Sequence, residues 1–309
     1  MRVVYMGTPE FAVPALQALH GAGYEIALVI SQPDRPRGRG RQANPTPVAA
    51  TARELGLPLL QPAKVNDPEV VEQVQELAPD AIVVAAFGQI LRKPLLQIPA
   101  IGCVNIHASL LPQYRGGSPV QHALLAGERV TGITIMLMDE GMDTGPILMQ
   151  REVLISPEDT AGTLLDRLAR VGADLLLEAL PALAAGRLEP TPQDASRATY
   201  APNLSREDAR IDWSSSAEKI RNQVRAFSPK PGAWAEFRGK EVKIWRARVD
   251  SDATDASPGQ IVAIGPESIR VATGEGTLWL EEVQEAGKSR MGAGAFARGA
   301  RLAPGERFS

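Results

Sequence analysis

Along the first half of this 309-residue chain, apolar positions gather into short compact runs separated by longer stretches with helical spacing. Arg2–Met6 is an apolar run of strand length, and Pro9–His20 follows with a helical pattern closed by the stop signal Gly21-Ala22-Gly23. Glu25–Ser31 predicts a second strand, while Val48–Leu55 and Asp67–Leu77 predict helices. Ala81–Ala86, Ile101–Ile106 and Ile133–Met138 are continuous apolar runs, the pattern of strands buried on both faces, with a helical stretch near Pro119–Ala126 between the last two. Such alternation predicts an α/β, Rossmann-like domain built on a parallel sheet with right-handed crossovers. Ligands of such sheets bind beyond the carboxyl ends of the strands, so the residues just after each strand are the ones to inspect.

A long amphipathic helix is expected over Thr160–Ala185, ending at Gly186. Arg187–Ser205 then carries three prolines and little periodicity, the composition of a linker. Beyond it the pattern changes. One helix, Ser216–Phe227, precedes short strands at Ala233–Phe237, Glu241–Arg248, Gln260–Ile264, Ser268–Ala272 and Thr277–Val283, separated by glycine-containing turns. Short strands at regular spacing predict a small barrel or sandwich. The expected organisation is a catalytic domain over 1–187, a linker over 188–205 and a smaller C-terminal β-barrel domain over 206–309.

Composition adds few constraints. Apolar runs fall short of the roughly 18 residues of a membrane span, and the N-terminus reads directly as a strand without a signal-peptide pattern. Cys103 is the single cysteine, so no disulfide pairing is available within the chain. A cytoplasmic location and no membrane partner are expected. The net charge of −3 argues against a nucleic-acid partner until its distribution is considered. Residues 1–205 hold 16 basic and 21 acidic side chains, whereas residues 206–309 hold 17 and 15. Nine Lys/Arg and two Glu lie between Lys219 and Arg248, and RPRGRGR places Arg35, Arg37, Arg39 and Arg41 in one short run. By themselves these charges are also what solvated faces look like.

Candidate chemistry starts with what is missing from the first turn. Gly7-Thr8-Pro9 lies where nucleotide-binding folds place a glycine loop, but neither G-x-G-x-x-G nor a Walker lysine is present. No nucleotide cofactor is expected. Asn105 and His107, two apart at the end of a predicted strand, share one face of it. Asp143 lies in the loop Asp139-Glu-Gly141-Met-Asp143-Thr-Gly145 after the next predicted strand. If those strands are neighbours, an amide, an imidazole and a carboxylate converge.

That set suits acyl transfer to an amine. Attack on a formyl carbon creates an oxyanion and an ammonium; Asn and protonated His donate hydrogen bonds to the first, and a carboxylate accepts the proton of the second. Each residue singly has an ordinary structural reading as a satisfied core histidine, a strand-end asparagine or a turn aspartate. A metal site formed by His20, His107 and His122 has no ligand spacing to support it, so no metal is expected.

Taken together, Asn105-Ile-His107, then Ser109-Leu-Leu-Pro112-x-x-Arg115-Gly116, then Asp139-x-Gly141-x-Asp143-Thr-Gly145 strongly resemble the 10-formyltetrahydrofolate-dependent formyltransferases. The resemblance implies Asn105, His107 and Asp143 as catalytic residues. It also implies a folate site at Ser109, Leu110, Leu111 and Pro112 with Phe87 and Gly88, and 10-formyltetrahydrofolate as co-substrate. Phe87 stands where the family pattern has Tyr, and Arg92-Lys93-Pro94 replaces a shorter turn; neither touches the three catalytic positions. Within the family, Gly7-Thr-Pro9-x-Phe11-Ala12, the loop Gln32–Gly40 and Ala209-Arg-Ile-Asp-Trp213 resemble the members that act on methionyl initiator tRNA. This implies a C-terminal OB-like barrel and RNA contacts from Arg35, Arg37, Arg39 and Arg41 and from Lys219, Arg221, Lys240 and Lys243. A monomer is the expected state. Trp234 and Trp245 are either core residues or stacking platforms. Two further readings stay open at this point: a hydrolase sending the formyl group to water, and an RNA-binding protein with an inactive folate-type domain.

Overall fold

The computed structural model describes residues 1–36, 43–250, 252 and 254–309, which group into two compact units. The first comprises Met1–Pro119, Val130–Leu154 and Leu165–Pro202; the second comprises Val120–Arg129, Ile155–Leu164 and Asn203–Ser309.

In the first unit the chain runs β1 (Arg2–Gly7), a 3-10 turn at Glu10–Ala12, α1 (Val13–Gly21), β2 (Glu25–Ile30) and the two-residue strands β3 (Arg35–Pro36) and β4 (Ala43–Asn44). It continues through α2 (Pro47–Glu54), β5 (Leu59–Leu60), α3 (Pro68–Glu76), β6 (Ala81–Ala85), α4 (Lys93–Leu96) and β7 (Gly102–His107). Then follow β8 (Val130–Leu137), β9 (Ile147–Leu154) and α6 (Ala161–Ala184) from Leu165 onward, whereas α5 (Pro119–Leu125), between β7 and β8 in the chain, belongs beyond Pro119 to the second unit.

The sheet order is β5-β2-β1-β6-β7-β8-β9. The first five strands are mutually parallel, as the alternation predicts. β8 and β9 differ: β8 runs antiparallel to β7, and β9 antiparallel to β8. β6 is buried at every position, the consequence of helices covering both faces. One of those faces packs Val4, Met6, Leu28, Ile30, Ile82 and Val84 against Val70 and Val74 of α3 and Leu95 of α4. Growth of the sheet reverses between β1 and β6, the switch point at which such sheets open a ligand crevice.

The segment up to Pro202, expected as part of a linker, belongs to the first unit. Thr191 and Ile147 exchange two backbone hydrogen bonds of 2.8 Å, and Arg115 exchanges bonds with Thr199 and Ala201. Polar, proline-bearing residues carry no periodic apolar signal, yet their backbone amides fasten them.

The second unit contains α7 (Ala217–Ala226), β10 (Ala233–Phe237), β11 (Lys240–Asp250), β12 (Ile261–Ile264), β13 (Ile269–Ala272), β14 (Thr277–Glu285), β15 (Met291–Gly292) and α8 (Ala293–Ala300). Its sheet is antiparallel, in the order β10-β11-β14-β13-β12, with β15 pairing β14. The last residues join its two edges: Ser309 exchanges bonds with Glu236 of β10, and Phe308 donates to Gly259 while Ile261 of β12 donates to Glu306. Pairing at both edges closes the sheet on itself and removes unpaired edges. Phe308 is fully buried inside, 4.9 Å from Phe237 and 5.7 Å from Trp213 between ring centroids. Arg225 of α7 donates to the carbonyls of Ser156 and Asp159, and Arg221 to that of Pro157, which holds residues 155–164 within this unit.

Candidate active site

Asn105 and His107 occupy the second half of β7 and are buried, 9% and 5% exposed. His107 Nε2 lies 3.0 Å from the carbonyl oxygen of Tyr114. An oxygen there can only accept, so Nε2 carries the proton and donates. The other ring nitrogen, Nδ1, faces the Asp143 carboxylate at 3.6 Å, wide enough to leave it available to a third group. Asn105 Nδ2 donates to Asp143 Oδ1 at 3.5 Å, a long bond that is readily exchanged for a better acceptor. The backbone N–H of Gly116 donates to Asp143 Oδ2 at 2.8 Å and fixes the carboxylate.

The convergence of these groups follows from the antiparallel pairing of β7 with β8. Asn105 pairs with Met136 and His107 with Thr134 across the antiparallel β7–β8 ladder. The loop after β8 therefore starts at the far end of β7 and must fold back to reach His107. It does so by turning sharply: Asp143 itself adopts φ 53°, a left-handed conformation that Asp tolerates better than most residues. Gly145 lies so close to β8 that an added Cβ would overlap the carbonyl oxygen of Leu137. The sequence expectation of converging loops thus holds through a route other than parallel carboxyl ends.

The Ser109–Pro112 stretch is held from beneath by Thr134, which is fully buried. Its hydroxyl donates to Ser109 O at 2.7 Å and accepts from Leu111 N at 3.1 Å and from Gln150 Nε2 at 2.9 Å. Ser109 Oγ donates to Gln113 O at 2.6 Å, and Leu111 is buried, so Leu110 and Pro112 are the more open side chains of the stretch. Phe87 is placed differently from a ligand-stacking residue: its ring is 2% exposed and packs in the core beside Leu91 and Leu95. The Phe87 carbonyl accepts from Thr8 Oγ1 at 2.9 Å and from Gln32 Nε2 at 3.3 Å. Gly88 follows it, exposed, with φ 84°. Phe87 and Gly88 sit just past β6, at the switch point, where the sheet opens.

Of the arginine run, Arg37, Arg39 and Arg41 lie outside the described residues, and Arg35 opens β3. At the base of this segment Asp34 accepts from Gln61 Nε2 at 2.6 Å and from Thr46 N at 3.3 Å, and the Gln61 bond first of all holds its carboxyl below the usual range.

Among the cations of the second unit, Arg221 is committed to Pro157 O, Glu158 and Glu218, and Lys240 pairs with Glu285 at 2.7 Å. Lys219 is exposed on α7. Lys243 Nζ donates to Pro231 O at 2.7 Å and lies 5.7 Å from the Trp245 ring. Arg290, unnoticed in the sequence, is exposed and stacks over the same ring at 3.5 Å. Trp234 and Trp245, each 7% exposed, are core residues roofed by cations. Among the described residues no group of three His, Cys, Asp or Glu side chains is placed to hold a metal, and no helix is long and apolar enough to cross a membrane.

Comparison with known proteins bears on this geometry. The profile of formyl transferase matches residues 1–180, and that of the formyl transferase C-terminal domain matches residues 203–301. The methionyl-tRNA formyltransferase of Heliobacterium modesticaldum is 49% identical over 100% of both chains, and that of Geotalea uraniireducens 48% identical over 99% of this chain and 97% of its own. Among solved structures, the N-formyltransferase of Helicobacter canadensis in complex with folinic acid and dTDP-3-aminofucose has a TM-score of 0.68 at 17% identity. It covers 90% of this chain and 98% of that one. The methionyl-tRNA formyltransferase of Clostridium thermocellum has a TM-score of 0.57 at 20% identity, covering 82% and 95%. At these identities the solved structures attest the fold alone. Two profiles in order along the chain, and identity near one half over its full length, make it a member of the formyl transferase family.

Proposed function

We propose that this chain transfers the formyl group of 10-formyltetrahydrofolate to the α-amino group of methionyl initiator tRNA. The observation that carries the reading is the meeting of His107 Nδ1, Asp143 and Asn105 beside the β7–β8 pair. The names of relatives nearly half identical over their whole length support it.

The amine attacks the formyl carbon, a C–N bond forms, and the carbonyl oxygen takes the negative charge. His107, with Nε2–H spent on Tyr114, offers Nδ1–H to that oxygen when protonated, and Asn105 Nδ2 supplies a second donor. Asp143 balances the imidazolium and accepts the proton shed by the amine, directly or through one water. Collapse of the intermediate restores the carbonyl and breaks the bond to the folate nitrogen, which takes the proton held by Asp143 and leaves as tetrahydrofolate. No enzyme nucleophile is needed: the Cys103 thiol is buried against the carbonyls of Leu95 and Leu96, and the Ser109 hydroxyl is bound to Gln113 O.

Folate binds along Leu110–Pro112 and the backbone of Phe87 and Gly88 at the switch point. Residues 1–187, with the fastened segment up to Pro202, form the catalytic domain and 206–309 the RNA-binding domain. The RNA is held through phosphates by the Arg35–Arg41 run and by Lys219, Arg221, Lys240 and Lys243, to which the exposed Arg290 is added. The protein works as a cytoplasmic monomer. The deciding experiment supplies 10-formyltetrahydrofolate with charged initiator tRNA, with glycinamide ribonucleotide, or with water alone. Formyl on the tRNA is expected; equal release of formate without any amine would make the protein a hydrolase.

A further inference from the structure

Gln193 lies in the stretch that the sequence presents as a linker, yet it makes four hydrogen bonds beside the site. Its Nε2 donates to the carbonyl oxygens of Asp143 at 2.9 Å and Gly145 at 2.7 Å. Its Oε1 accepts from Arg115 Nε at 3.1 Å and from an Arg115 terminal nitrogen at 2.7 Å. One carboxamide thus joins the loop that carries Asp143 to the loop that serves His107.

Arg115 stands between the two residues that hold the catalytic groups. Tyr114 before it supplies the carbonyl for His107 Nε2, and Gly116 after it supplies the N–H for Asp143 Oδ2. Arg115 is 5% exposed, and its guanidinium forms no ion pair among the described residues, its side-chain acceptor being Gln193. Burying an unpaired guanidinium is costly, so an acceptor in that spot is a constraint, not an ornament. The surrounding backbone reinforces the joint. Tyr114 N donates to Thr199 Oγ1, Arg115 N to Thr199 O, and Ser118 N to Ala201 O. Gly116, at φ 119°, passes so close that an added Cβ would lie 2.7 Å from Ala201 O.

The left-handed φ of Asp143 gives this bracing its purpose. A non-glycine residue leaves the left-handed region unless its surroundings oppose it. The two bonds from Gln193 Nε2 grip the carbonyls on either side of Thr144, at the point where relaxation would swing the carboxylate away from His107.

We propose that Gln193 is a positioning residue for formyl transfer, holding the Asp143 loop against the Arg115 segment so that carboxylate, imidazole and amide stay converged. Its kinetic arm rests on the formyl-transfer reading above; its spectroscopic arm does not. In the full-length protein, Gln193→Glu retains an acceptor for Arg115 but sets an oxygen against the two loop carbonyls. Gln193→Met removes both grips. Both are expected to lower kcat about tenfold to a hundredfold, the scale of an ångström-sized misplacement, with KM for the folate donor and for tRNA within about twofold. The pH profile of kcat should change shape, and the 15N ring resonances of His107 should move at fixed pH. Arg115→Lys, which keeps charge but breaks the paired bonds, should fall between these variants and the parent. The parent's kinetics in all four measurements, with the His107 resonances unmoved, would overturn the proposal. So would a loss of rate that vanishes when turnover is normalised to folded protein. Should the parent fail to formylate tRNA, the function would fall while the resonances still judged Gln193.

Discussion

Replacing Asp143 by Asn removes one charge and keeps a hydrogen-bond acceptor. The amide oxygen can still take the Gly116 N–H now bound at 2.8 Å, and Asn tolerates the left-handed φ of 53° as well as Asp does. Fold and loop should therefore persist, and what is lost is the carboxylate 3.6 Å from His107 Nδ1. A pair of unit charges at that distance is worth about 1 kcal/mol in water and about 5 kcal/mol at an effective dielectric near 20. The imidazole is 6% and the carboxylate 17% exposed, which puts the pair nearer the second figure. With about 1.4 kcal/mol per tenfold in rate, the charge accounts for between tenfold and roughly a thousandfold, and a loss of roughly several hundredfold in kcat is expected. Single-turnover formyl transfer to charged initiator tRNA, with both substrates saturating, reads this step without product release. An Asn variant within about threefold of the parent would refute both roles given to the carboxylate, countercharge to the imidazolium and acceptor of the amine proton, since an amide can serve as neither.

Other consequences are open to direct measurement. His107→Ala and Asn105→Ala each remove one oxyanion donor and should lower kcat about a hundredfold or more while leaving folate binding intact; unchanged turnover in either removes that residue from the mechanism. Gly116→Ala combines a strained φ with an overlap against Ala201 O, costing about 3 kcal/mol and lowering the melting temperature by about 6–12 °C; a stability equal to the parent's would show that the segment yields. Burial pushes the Cys103 thiol up to about 12, so it is neutral at working pH and should react with a thiol reagent only as the protein unfolds; rapid labelling of native protein would contradict its packing. Neutralising Arg290 and Lys219 should weaken tRNA binding and flatten its salt dependence by about two phosphate contacts, with folate affinity unchanged; an unaltered salt slope would remove them from the interface.

Several of these tests use residues that local sequence reveals, and others use residues that it cannot. Helices and central strands were legible because burial on one or both faces imprints a period on the chain: β6 is expected at Ala81–Ala86 and lies at Ala81–Ala85. The motif residues Asn105, His107 and Asp143 were legible as chemistry and by resemblance. β9 was not, because an edge strand, with burial on one side and solvent on the other, mixes its signals over Ile147–Leu154. α8 was not either: its buried stripe, Ala293, Gly294, Phe296 and Ala297, has Phe296 as its single large residue.

The sequence by itself determined most helices and the central strands, and offered Asn105, His107 and Asp143 as candidates for acyl transfer, because both follow from local periodicity and residue chemistry. Tertiary structure alone decided the sense of β8, and with it the path by which Asp143 returns to His107. The direction of a pairing depends on how its connection closes in space, and the residues of the strand do not record it. Only the fold turned the ring of Phe87 into the core. It also brought Gln193, 50 residues beyond Asp143 in sequence, to within hydrogen-bond distance of its carbonyl. A polar residue in an aperiodic stretch gives no local sign of its partner, because a carboxamide acquires its role from whatever groups the folded chain places around it.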